Sequence, residues 1–134
     1  SQEELMTILS QSKAHNPAGG ITGVLCSSGR LFLQLLEGGR MQVNALYNQI
    51  AADPRHKDVV ILSYEEISER RFAHWSMGLV NLERVNASVL LKYSESATLD
   101  PYGVSGVASM ALLGELMATA SIVGRADLLP AATR

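Results

Sequence analysis

Gln34 stands in the run FLQLLEGG, residues 32–39, among Phe32, Leu33, Leu35 and Leu36. An apolar stretch of that length reads as a buried strand. A primary amide brings two donors and two acceptor lone pairs. Left unpaired in a core, it costs about 1–3 kcal/mol. Gln34 therefore either faces water or has a partner inside. Strand alternation puts Phe32, Gln34 and Leu36 on one face, and Leu31, Leu33 and Leu35 on the other. Both faces are apolar apart from Gln34, which favours a buried amide with a designated partner.

Four other places carry groups capable of chemistry. Asn16 follows His15 and precedes Pro17, and taken alone it reads as a helix C-terminal cap. Asp53-Pro54-Arg55-His56 reads first as a solvated turn, although Arg55 could grip a phosphate or a ring carbonyl. Trp75 and Met77 lie beside a basic, His-containing segment, and ordinary core filling accounts for both. Gly19-Gly20 and Gly38-Gly39 are turns that form neither a G-x-G-x-x-G nor a P-loop pattern. His15, His56 and His74 are scattered, so no Ser/His/Asp arrangement can be argued and a zinc site is unsupported.

The elements that must position these residues follow from periodicity. Residues 1–16 read as a helix, with Ser1 and Glu4 at capping-box spacing and Leu5, Ile8 and Leu9 on one face. Residues 21–27 and 30–38 read as strands joined by a Ser28-Gly29 turn. A helix is expected over 40–52, ended by Asp53-Pro54. Residues 59–67 read as a strand, and 71–80 as a loop entering a short last strand. This order fits an α+β, ferredoxin-like sandwich, a mixed sheet with two helices, if one strand is added ahead of Ser1. A missing or swapped first strand is therefore expected. Beyond residue 82, helices are expected over 85–93 and 104–123, separated by a polar connection. The second is apolar on more than one side and must pack on the open sheet face or on another chain.

Composition bounds the rest. Of 134 residues, 47% are apolar and 18% charged, with net charge −2, which leaves no electrostatic footprint for nucleic acid. Gly, Ser or charge interrupts every apolar stretch well short of the ~18 residues of a membrane span. The opening residues do not read as a secretory signal, so none is expected, and the single Cys26 excludes an internal disulfide. The expected compartment is the cytoplasm.

Four motifs, KAHNPAGGITGVL, RLFLQLLEG, ALYNQIAADPRH and RRFAHWSMGL, in this order and spacing, resemble a BLUF domain, the blue-light sensor using FAD. The resemblance covers residues 1–83, and residues 84–134 fit the helical extension of short BLUF proteins. It implies that Asn16 holds the C4 carbonyl and N3 edge of the flavin and that Gln34 lies beside N5 and O4. It places Arg55 and His56 near the pyrimidine end, with Asp53 just before them. His15 flanks the ring, Ile21 and Phe32 are apolar wall positions, and Trp75 and Met77 are the mobile pair of the last strand. In the family, light moves an electron and a proton from a tyrosine to the flavin through the glutamine, without substrate turnover. That tyrosine belongs to the first strand. Tyr47, Tyr64, Tyr93 and Tyr102 stand elsewhere.

The resemblance thus implies a non-enzymatic photoreceptor that binds FAD and signals to a separate downstream protein, as a homo-oligomer, with no membrane or direct nucleic-acid contact. The competing reading is a light-insensitive ferredoxin-like protein–protein module. An acylphosphatase-like enzyme is a third, disfavoured because no anion-cradling loop stands near the start.

Overall fold

A computed structural model describes residues 18–29, 31–98 and 100–118. The helix expected over residues 1–16 lies outside them. A short helical turn at 18–20 leads into a hairpin of β1 (Thr22–Ser28) and β2 (Leu31–Glu37). Gly29 sits at the turn with φ +59°, a left-handed conformation that glycine adopts without steric cost. Its N–H donates to Glu83 Oε1 at 2.6 Å, tying the hairpin tip to the turn that follows the last strand.

Helix α1 (Arg40–Ala52) follows, at the bounds its periodicity predicts. It ends where the Asp53 N–H turns back to the Ile50 carbonyl. Its apolar face, Val43, Leu46, Tyr47 and Ile50, is half-buried. Strand β3 (Gly78–Asn81) runs parallel to β1, which is antiparallel to β2 on its other edge, so the sheet order is β2-β1-β3. A 3₁₀ turn, Leu82–Arg84, begins at Asn81, whose side chain accepts from the Glu83 N–H. Then come α2 (Ala87–Tyr93), capped by Asn86 through the Ser88 N–H, and α3 (Gly106–Ala118).

The register separates two sheet faces, because residues opposite each other share a face. Val24 pairs with Leu35, and Cys26 with Leu33 and Val80. This back face carries the main core, where Val24, Cys26, Phe72, Trp75, Val80 and Leu82 pack with Leu90 of α2 and Leu112, Leu113 and Leu116 of α3. Each such leucine contributes about 1.5–3 kcal/mol by leaving water. The apolar C-terminal helix thus covers the open sheet face, the first of its two expected destinations. The second face, with Leu25 opposite both Gln34 and Leu79, carries a smaller cluster of Leu25, Met77, Leu36 and Leu79.

One expected element is corrected. Residues 59–67 form no ladder strand among the described residues. Val59, Val60, Ile61, Tyr64 and Ile67 are exposed. A strand requires a neighbour to receive its N–H and C=O groups, and β2, at the sheet edge, has β1 as its one ladder partner among the described residues. Side chains hold the segment instead. Tyr64 Oη donates to Asn44 Oδ1 at 3.2 Å, Arg40 pairs with Glu66, and Tyr102 Oη donates to the Asp58 carbonyl at 2.8 Å. The described sheet therefore has three strands rather than the four of a complete ferredoxin-like order.

Cys26 is fully buried at the interface between sheet and α3, and burial pushes its thiol up to about 12. The neutral thiol is inert, because the thiolate is the nucleophile. The stabilisation from keeping it neutral is complete below its unfolded value of about 8.5 and declines as pH rises towards the folded value. Iodoacetamide at about pH 8 is expected to leave the native chain unmodified and to alkylate the denatured chain fully. Mass spectrometry reads the difference, and rapid native labelling would contradict the burial.

Candidate functional site

Gln34 occupies the middle of β2, half-buried, on the sheet face shared with Leu25, Leu36 and Met77. Its Nε2 donates to Met77 Sδ at 3.7 Å. A thioether is a weak acceptor. The amide therefore retains most of its hydrogen-bonding capacity for a stronger partner, on a face that is otherwise apolar. Ile21 is buried just ahead of β1 and packs against Gly38, where an added Cβ would lie 2.9 Å from Ile21 Cδ1. Phe32, on the same strand face as Gln34, is 40% exposed. Together these residues form an open apolar platform around one amide.

Trp75 and Met77 are two residues apart but belong to opposite faces. Met77 is fully buried beside Gln34. Trp75 is buried in the back-face core, its ring 5.7 Å from that of Phe72 at an interplanar angle of 52°. The chain bends at Ser76 and Met77 before β3 begins, which breaks the alternation that would put both side chains on one face. Backbone bonds fix the segment further: Trp75 N–H donates to the Phe72 carbonyl and Gly23 N–H to the Trp75 carbonyl, each at 3.0 Å. The stretch thus joins the Gln34 face to the core in which α3 is seated.

The 53–56 turn is organised locally. Asp53 Oδ1 accepts from the Arg55 backbone N–H at 2.9 Å and from Nε at 3.0 Å, and Oδ2 accepts from Nη2 at 2.6 Å. His56 Nδ1 lies 2.8 Å from the Ile50 carbonyl, so that nitrogen carries the proton and caps the end of α1. The structure therefore places Arg55 and His56 at the foot of α1, committed to Asp53 and Ile50. The Arg55 hydrogen bonds hold the Asp53 carboxyl well below the usual carboxylate range. Because the folded value is lowered, the stabilisation is present above the unfolded value of about 3.9 and is lost as pH falls through the folded one. The pair is partly exposed, so the effect is small and local. An NMR titration is expected to show the Asp53 carboxyl still ionised at about pH 3.9; a midpoint there would contradict the pairing.

His15 and Asn16 lie outside the described residues. Among the tyrosines, the hydroxyls of Tyr64, Tyr93 and Tyr102 are engaged by Asn44, Glu115 and the Asp58 carbonyl.

Sequence reasoning missed Glu37. Its carboxylate is buried and accepts three hydrogen bonds, from Thr22 Oγ1 at 3.1 Å, the Arg71 N–H at 2.8 Å and the Phe72 N–H at 3.0 Å. The available signal was an acid ending an apolar strand immediately before two glycines. Two of its three partners are backbone groups more than thirty residues away, which no side-chain pattern reveals.

Among the described residues, no group of three or more His, Cys, Asp and Glu side chains could hold a metal ion, and no helix is long and apolar enough to cross a membrane. Fold and site together define an α+β domain with an amide-centred binding face. Residues 1–78 match the family model for BLUF, sensors of blue-light using FAD, and the chain belongs to that family. It is 38% identical over 80 residues to the blue light- and temperature-regulated antirepressor BluF of Escherichia coli K12, spanning 60% of this chain and 19% of that protein. The chain thus covers about a fifth or less of the curated relatives it matches. It superposes on the photo-activated state of BlsA with TM-score 0.78 at 30% identity, covering 87% of this chain and 82% of that one. The dark-state structure of the BLUF protein BlrB gives 0.73 at 30% identity, covering 88% and 84%. The likeness to these two short BLUF proteins covers more of the chain than the 78 residues matched by the family model.

The chemistry of the donor set fits a flavin. A flavin edge alternates donors and acceptors beside a flat apolar ring, and the face around Gln34 offers an amide with both polarities among Leu25, Leu36, Ile21 and Phe32.

Proposed function

We propose that this chain is a blue-light photoreceptor that binds FAD noncovalently and signals without catalytic turnover. When bound, the flavin supplies light absorption and a reversible electron and proton acceptor. Gln34 presents its amide to the ring edge. An amide that rotates or tautomerises exchanges donor for acceptor with little atomic motion, which reverses its hydrogen-bond pattern. Met77 Sδ, in contact with Gln34 Nε2, senses which polarity faces it. Ile21 and Phe32 wall the ring, and Arg55 and His56 stand near its pyrimidine end beside Asp53. Asn16 holds the C4 and N3 edge, with His15 flanking the ring.

The observation that carries this reading is the split of the Trp75–Met77 segment across the sheet. Met77 touches the amide on one face, while Trp75 is packed with the leucines of α3 on the other. A change at Gln34 is thereby linked to a helix that can bias a two-state element. Kinship with an antirepressor supports a separate protein as the receiver, and the resemblance to BLUF proteins supports a homo-oligomer.

Titrating purified protein with FAD in the dark tests the binding. Quenched flavin emission with saturable stoichiometry is the expected result. Failure to bind FAD would leave the light-insensitive interaction module as the reading.

A further inference from the structure

We infer that Glu37 is the fixed pivot of the Trp75–Met77 segment, a positioning residue for the signalling step; the inference rests on the photoreceptor reading above. Glu37 and Gln34 share β2, three residues apart. From the buried carboxylate of Glu37, a closed circuit of contacts returns to Gln34. Oε2 accepts from the Arg71 N–H and Oε1 from the Phe72 N–H. The Phe72 carbonyl accepts from the Trp75 N–H, and the Phe72 and Trp75 rings are in contact. Met77 then closes the circuit at Gln34 Nε2.

One end of the 71–77 segment is thus clamped by a carboxylate and the other rests on the amide that changes polarity. Thr22 Oγ1 donates to the same carboxylate and accepts from Arg70 Nη1 at 3.3 Å, so β1 braces the clamp. A chain held at one end turns a displacement at the other into a rotation of what lies between. Trp75 lies between, seated in the α3 core. Without the clamp, movement of Met77 would dissipate along the loop before Arg71.

The test uses the full chain with FAD bound. Trp75 is the protein's single tryptophan, so its emission is an unambiguous reporter. Glu37→Gln puts an amide NH₂ against one of two N–H donors, donor against donor, while keeping shape. The light-induced flavin red shift is expected to persist in the variant, because Gln34 is intact. Acrylamide quenching of Trp75 in the dark is expected to rise by about threefold or more, and its light-minus-dark difference to vanish. Wild-type quenching in both states would overturn the pivot.

If the variant does not fold, wild-type amide exchange decides. The Arg71 and Phe72 amides are expected to exchange at the same rate in dark and light, within about twofold, while Met77 changes. Arg71 and Phe72 changing together with Met77 would overturn it. If wild type shows no red shift, the photoreceptor reading fails separately. The clamp is then judged by dark-state quenching in Glu37→Gln, where an unchanged value overturns it.

Discussion

Gln34→Leu is expected to fold, to bind flavin and to show no light-induced red shift. Leucine fits an apolar face that already carries Leu25, Leu36 and Met77. The bond lost, from Nε2 to Met77 Sδ, is to a weak acceptor, so the stability change is expected to stay within about 1 kcal/mol. What disappears is the one group on that face able to exchange donor for acceptor. The light-minus-dark spectrum of the flavin-loaded variant checks this. A shift of wild-type size in the variant would mean that the hydrogen-bond switch lies elsewhere.

Gly23→Ala is expected to cause the largest loss of stability. An added Cβ would lie 1.9 Å from the Leu35 carbonyl oxygen and 3.0 Å from its carbon. Both are backbone atoms of the paired strand, so no side-chain rotation relieves the clash. Gly23 pairs with Leu36 across the hairpin, and its N–H donates to the Trp75 carbonyl. The methyl group therefore pushes β2, which carries Gln34, away from β1 and strains the Trp75 anchor. A loss of about 3–5 kcal/mol is expected, seen as a thermal midpoint lowered by about 10 °C or more. Gly114→Ala is the control. Its added Cβ meets nothing within 4 Å on α3, and it is expected to stabilise by up to about 1 kcal/mol. Equal midpoints for Gly23→Ala and wild type would contradict the hairpin register.

The local pattern was largely readable. Period-2 alternation in residues 31–37 set Gln34 among apolar neighbours, and the hairpin and helix 40–52 followed from turn chemistry and a 3.6-residue stripe. The packing of α3 on the sheet was readable only as a need, since an apolar helix demands cover without naming it. Residues 59–67 show where propensity stops. Val59, Val60 and Ile61 favour a strand, but a strand exists only with a partner, and partners are not a local property. Trp75 and Met77 were legible as a pair, yet the bend at Ser76 that sends them to opposite faces depends on Phe72 and Gly23, both remote from periodicity. Glu37 was invisible for a similar reason. Two of its three partners are backbone N–H groups delivered by the fold.

The most direct test of the central claim is the visible absorption spectrum of the FAD-loaded chain, in the dark and after blue light. Flavin bands that move to the red under illumination and return in darkness are the predicted result. Flavin bands that stay fixed under illumination would contradict it, because a bound ring beside a working Gln34 switch must report the change in its hydrogen bonds.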